Sequence, residues 1–395
     1  MDEIERTCFC FFWEQGNSGT GLVKDRSLAT GHDDRPVASI AATGFGLTAM
    51  AIADRRGWEK RERLLGRIRT TLQFALNRIQ HEHGFLLHFV DHATGARAFN
   101  SEFSSIDTTI LLCGALTCRA YFDDPEVRAL ATQLYERADW VWLLNGGMLL
   151  SHGYRLETGF IKSRWDEYSE LMMIYLLGLG SPTHALPAET WDAWKRVPLE
   201  YDGIRIIGSN APIFVHQYSH AWFDFRNRRD RYADYFRNSI DATRIHKLFC
   251  LALASKFPDY TEDLWGITAS DSAKGYVVWG GPPPMGPIDG TVVPSAAGGS
   301  LPFLPAETLR VLRNMRQKYS ERGWKRYGFV DAFNPLTGWY DPDVIGINLG
   351  ILMLMAENLR SSFVWDVFMR NHEAKLSMER AGFESTQWNA SSRVR

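Results

Sequence analysis

Two acids stand where a helix is expected to begin. Asp107 lies in Ser104-Ser105-Ile106-Asp107-Thr108, and Glu170 closes Trp165-Asp166-Glu167-Tyr168-Ser169-Glu170. Each opens a run too apolar for a surface helix, Ile106 to Cys118 and Glu170 to Gly180. A carboxylate in a first helical turn has an ordinary use: it caps free N–H groups and complements the helix dipole. At the end of a buried helix it is also held rigidly against the interior. Paired carboxyls of this kind suit glycoside hydrolysis, where a protonated acid meets the leaving oxygen and a second carboxylate activates water or attacks. Inverting enzymes hold the two about 6.5–9.5 Å apart and retaining ones about 5–5.5 Å. Partial burial against rings raises the pKa of the acid. Glu170, near Trp165 and Tyr168, meets that requirement best.

The second acid must come from another segment. Asp224, Asp271, Asp289 and Asp331 lie in loops, where each is equally suited to an Asx turn. Other chemistries find less support. His81-Glu82-His83 and His216-x-x-x-His220 have ligand-like spacing but no third ligand, so neither a metal nor a cofactor is expected. There is no phosphate loop, no Gly-x-Ser-x-Gly elbow and no dinucleotide fingerprint. The five cysteines, Cys8, Cys10, Cys113, Cys118 and Cys250, form no disulfide framework or zinc pattern.

Rigid elements must carry these acids. The pattern predicts helices of two kinds. Lys60 to Gln80 and Glu126 to Leu144 are amphipathic, with one dry stripe, as outer helices require. Ser39 to Ala53, Ile106 to Cys118, Glu170 to Gly180, Thr243 to Ala254 and Gly346 to Met355 are apolar nearly all round, as inner helices require. A further helix is expected over Ala306 to Lys318. The apolar segments begin near 42, 107, 170, 242, 300 and 347, spacings long enough for a helix, a loop and a return helix. Six inner helices alternating with six outer ones make an all-α (α/α)6 barrel, with residues 1–395 as one catalytic domain. Long loops rich in Gly, Pro and Trp, above all Trp265 to Phe303, would form its mouth.

Composition agrees. Lys plus Arg total 44 against 46 Asp plus Glu, so no excess of positive charge calls for nucleic acid. There are 14 Trp, 14 Tyr and 23 Phe, rings on which sugar faces can stack, although most aromatics in any protein serve the core. No stretch of about 18 apolar residues spans a membrane. Met1-Asp2-Glu3-Ile4-Glu5 shows no signal peptide, which leaves a cytoplasmic protein or one whose leader has been removed, as from the periplasm. A monomer acting on a glucan or oligosaccharide is expected.

The motifs extend these expectations. Thr20 to Arg26, Ser39 to Gly46, His88 to Asp91, Glu102 to Thr108, Tyr168 to Tyr175 with Gly180 to His184, Tyr218 to Asp224, Trp265 to Tyr276, Asp289 to Pro294, Tyr327 to Asn334 and Glu357 to Arg360 together resemble the glucoamylase-like (glycoamylase) family. That family includes bacterial endo-β-1,2-glucanases and sophorose-releasing relatives. The resemblance implies an (α/α)6 barrel and an inverting hydrolase with no metal cofactor. It places the general acid at Glu170, makes Asp107 and Glu102 pocket residues, and lines the cleft with Trp265, Asp271, Asp289, Tyr327 and Asp331. Trp165, Tyr168, His220, Trp279, Phe329 and Asn348 complete the expected substrate contacts. One departure stands out. Many relatives carry Asp-Gln-Gly-Pro at the start of the last inner helix, where this chain has Asn348-Leu349-Gly350-Ile351. Asn348 cannot accept a proton, so the base must be another acid: Asp331, Asp343 or Asp107. The alternatives are action on a different β-glucoside, transglycosylation, or sugar binding without turnover.

Overall fold

The computed structural model describes residues 1–209 and 212–386. Its helices run in chain order: α1 Asp2–Glu14, α2 Ile40–Arg56, α3 Arg61–Asn77, α4 Ser105–Tyr121, α5 Pro125–Arg137, α6 Leu171–Gly180, α7 Thr190–Ala193, α8 Tyr218–Trp222, α9 Tyr235–Ala252, α10 Pro294–Gly298, α11 Pro305–Lys318, α12 Ser320–Gly323, α13 Gly346–Ser361, α14 Phe363–Phe368 and α15 His372–Arg380. The inner ring closes on itself. α2 packs on α4, α4 on α6, α6 on α8, α8 on α13 and α13 on α2, with α10 against α13. α3, α5, α9 and α11 lie outside, each buried along one stripe. This is the (α/α)6 barrel.

Local chemistry sets the helix starts. Ser39 caps α2 by accepting from the Ala42 amide, and Ser104 caps α4 by accepting from that of Asp107. Asp124 caps α5, whose first residue is Pro125. α2 and α4 touch backbone to backbone through Gly44 and Gly114. A Cβ on Gly114 would lie 2.1 Å from the Gly44 carbonyl oxygen, and one on Gly44 2.4 Å from that of Ile110. Gly114→Ala should therefore destabilise the fold by about 1–3 kcal/mol, read as a lower denaturant midpoint at unchanged slope. An unchanged midpoint would show that the two helices part at no cost.

The fourth and fifth inner positions differ from expectation. Thr243 to Ala254 belongs to α9, which is an outer helix with Arg237, Asp241 and Arg244 ion-paired along its wet side. The inner place falls to α8 and the next to α10, five residues each and buried throughout. Segments so short fall below the window in which helical periodicity can be read.

The loops at one end pair into two- and three-stranded ladders. Arg26–Leu28 runs antiparallel to Asp343–Ile345, and Val37–Ser39 to Phe89–Asp91. The first ladder leads directly into α13 and the second into α2.

Candidate active site

A cavity of about 420 Å³ opens where the inner helices start. Its wall takes the cap residue Ser39 and Ala41 from the start of α2, Asp107 from α4, Glu170 from the residue before α6, Tyr218 from α8, and Ile347 and Asn348 from α13. The barrel thus aims several helix N-termini into one hollow. Asp25, Arg26, His88, Phe89, Phe214 and Tyr276 complete the wall from the ladders and loops.

Glu170 is partly buried and reaches the cavity. Burial raises its pKa to about 7, and the Asp107 charge pushes the same way. Helix N-termini favour the anion, yet desolvation wins here, so the carboxyl holds a proton near neutrality.

Asp107 is buried, and burial likewise raises its pKa. The Ser104 hydroxyl donates to its Oδ2 at 2.5 Å, and His88 Nε2 stands 3.5 Å from its Oδ1. The other ring nitrogen of His88, Nδ1, lies 3.1 Å from Glu102 Oε1. Burial alone would lower the pKa of His88, but the two flanking acids overcome it and hold the value at about 9. Glu102, bonded to His88 and also facing Arg155, is held down at about 2. Glu102, His88 and Asp107 therefore form a charged bridge, with Asp107 on the cavity and Glu102 behind it.

Asn348 faces both the cavity and a void of about 10 Å³ that Asp331 also lines. Its side-chain amide donates to Asp331 Oδ1 at 2.7 Å and to the Ala269 carbonyl at 3.1 Å. The Asp271 amide donates to Asp331 Oδ2 at 2.9 Å. Burial raises the pKa of Asp331 to about 7, against these donors. Behind it, burial and then the Asp331 charge raise Asp341 to about 8. Asp271, Asp341 and Asp343 are close enough together to share a cation. Arg26 already contacts Asp271 at 2.5 Å, and Arg35 contacts Asp343 at 2.6 Å.

Of the residues anticipated from the sequence, Glu170, Asp107 and Asn348 line the cavity. Most of the expected aromatic platforms do not. Trp165 is buried, stacked on His152 at 3.9 Å, and donates to the Ser105 hydroxyl at 2.8 Å, so it braces the start of α4. Tyr168, Trp265 and Trp279 are core side chains, and Trp279 is bonded to Ser270. His220 is buried against Ser239. Tyr327 accepts from Gln15 on a separate open depression, and Phe329 packs edge-on against Trp324. Asp289 accepts from the Thr291 amide in an Asx turn. Asp271 and Asp331 lie just behind the wall. Residue type alone does not say which face of a loop a ring or acid will take. The rings on the cavity are Phe89, Phe214, Tyr218 and Tyr276. Asp25, Arg26 and His88 also reach the cavity, although the sequence marks them only as members of the motif segments.

The family model described as "Putative glucoamylase" (Glycoamylase) matches residues 162–372, more than half of the chain. The chain belongs to the glycoamylase family. The endo-β-1,2-glucanase of Chitinophaga pinensis, solved with sophorotriose and glucose, superposes with a TM-score of 0.90 at 26% identity over 97% of each chain. A β-1,2-glucanase from Parabacteroides distasonis superposes with a TM-score of 0.89 at 25% identity, covering 96% of this chain and 59% of its own. A curated relative, an exo β-1,2-glucooligosaccharide sophorohydrolase acting at the non-reducing end, also from Parabacteroides distasonis, is 26% identical over 420 positions. That match covers 96% of this chain, which spans 57% of the relative's length.

Proposed function

We propose that this glycoamylase-family protein hydrolyses β-1,2-linked glucan with inversion at the anomeric carbon, residues 1–395 acting as one catalytic unit. The observation that carries the reading is Glu170: an acid that keeps its proton near neutral pH, on the wall of a hollow where inner helices converge. Glu170 donates that proton to the glycosidic oxygen. The two β-1,2-glucanases that superpose over nearly the whole chain support the linkage. Phe89, Phe214, Tyr218 and Tyr276 supply apolar faces for the sugar rings. The bridge of Glu102, His88 and Asp107 supplies fixed charges for its hydroxyls. Chromatography of products from linear β-1,2-glucan, laminarin and cellulose tests the reading. Sophorooligosaccharides from the first substrate alone are expected, and preferential cleavage of laminarin or cellulose would contradict it.

In this reading the substrate path extends past the cavity to Phe99, as a groove over that ring. This ring is 74% exposed and meets Phe89, on the cavity wall, edge-on at 5.8 Å. Phe99 and Asn100 both have positive φ, 52° and 50°. Arg97 and Arg155 hold the turn by donating to the Asn100 carbonyl. Backbone strain of this kind persists where the surroundings enforce it, commonly at binding sites. Phe99→Ala should raise KM for long glucan by about two- to tenfold, the worth of one ring contact, and leave short oligosaccharides unaffected. Equal effects on both would remove Phe99 from the groove.

A second reading has one observation in its favour. Asn348, an amide on the cavity wall at the start of α13, leaves that position without a base. The same site would then bind glucan without cleaving it. A calorimetric titration with prolonged incubation separates the two: binding with no product favours the second.

A further inference from the structure

Inversion needs a carboxylate that can take a proton from water, and Asn348 is not one. The cavity wall offers three acids: Glu170, Asp107 and Asp25. Glu170 holds the proton for the leaving oxygen. Asp107 is engaged by Ser104 and His88. Behind the wall, Asp331 is closed off by the Asn348 amide, and both oxygens of Asp343 accept from Arg35. Asp25 differs. Arg26 Nε donates to its Oδ2 at 2.9 Å, and no donor among the described residues reaches Oδ1.

The backbone fixes Asp25 beside the start of α13. Its amide donates to the Val37 carbonyl at 3.1 Å, and its carbonyl accepts from the amide of Gly346, the first residue of α13, at 2.7 Å. Asn348 is two residues further on. The ladder that follows Asp25, with Arg26 opposite Ile345 and Ser27 opposite Val344, fixes this register. A carboxylate from the opposing strand thus stands at the wall that Asn348 shares. We propose that Asp25 is the water-activating base of this protein, a role that the Asn348 side chain beside it cannot fill. Arg26, anchored by Asp271, orients Asp25 and leaves one oxygen free for water.

The step balances. Asp25 takes one proton from water as the water oxygen bonds to the anomeric carbon. The glycosidic C–O bond breaks, and its electron pair takes the proton of Glu170. Exchange with solvent then returns the proton from Asp25 and restores that of Glu170.

The inference rests on the hydrolase reading, so wild-type protein is assayed beside Asp25→Asn, Asp25→Ser and Asp331→Asn. All are assayed on linear β-1,2-glucan with and without sodium azide, and sophorotriose affinity and circular dichroism are measured on each. Azide is a nucleophile that needs no base. Both Asp25 variants are expected to lose at least about a hundredfold in turnover, bind sophorotriose within threefold of wild type, and form an α-glycosyl azide. Asp331→Asn should stay within tenfold of wild type and form none. The Ser variant keeps the test open if the Asn variant does not fold. Active wild type with an Asp25 variant above a tenth of its turnover overturns the inference alone. So does loss of turnover without glycosyl azide, or azide product from Asp331→Asn instead. Wild-type protein that leaves the glucan intact overturns the hydrolase reading and this inference with it.

Discussion

Glu170→Gln is expected to lower kcat on β-1,2-glucan by about 10²–10⁴, the usual worth of a positioned general acid, with sophorotriose affinity nearly unchanged. Glutamine keeps the shape and hydrogen-bonding capacity of the acid but has no proton to give the glycosidic oxygen. The same substitution should stabilise the fold at alkaline pH. Burial raises the pKa of Glu170 from 4.5 to about 7. The unfolded chain therefore loses this proton first, and stability falls as pH climbs from 4.5 to 7. Above 7 the full cost remains, on the order of 3 kcal/mol at most. Glutamine removes it. The variant should melt at a higher temperature than wild type at pH 8 and at nearly the same temperature at pH 4. Near-normal turnover, or equal melting temperatures at pH 8, would take Glu170 out of the buried-acid role.

The second large effect is an alkaline limb in the rate. An acid that must be protonated is lost as pH rises through its pKa. kcat/KM on glucan should therefore fall about tenfold per pH unit above 7, reaching about a hundredfold by pH 9. Asp331 also has a pKa of about 7, and Asp341 of about 8. A substrate that needs no acid tells these groups apart. β-Sophorosyl fluoride carries a leaving group that departs without protonation, so the limb should vanish with it if Glu170 is responsible. A limb that persists with the fluoride would assign the titration to another group, such as the Asp331–Asp341 cluster behind Asn348.

The legible parts of this protein are those where one segment determines its own environment. α2, α4, α6 and α13 are long and dry on all sides, and their sequence says so. Asp107 and Glu170 were legible because they stand where such helices begin, and helix N-termini line the cavity. α8 and α10 were not, because five residues carry no period. The remaining wall was harder still. Asp25, His88 and Phe89 are brought to the cavity by ladders two or three residues long, pairing positions such as 26 with 345 and 38 with 90. No local pattern records such a pairing. The tryptophans misled for a related reason. Trp165, Trp265 and Trp279 sit in the loops that build the mouth, as expected, but their rings turn inward and brace it.

Asn348 is a structural residue of the cavity wall as well as a lining one. Its amide holds Asp331 and the Ala269 carbonyl and so keeps the wall closed. An acid there would meet the buried carboxyl of Asp331 at hydrogen-bond distance, and the two could not both ionise. The amide avoids that conflict.

The most direct measurement is proton NMR of the first products released from linear β-1,2-glucan. The account predicts that the new reducing end appears as the α-anomer and converts to β only by later mutarotation. Initial release of the β-anomer, or glucan left intact over long incubation, would contradict it.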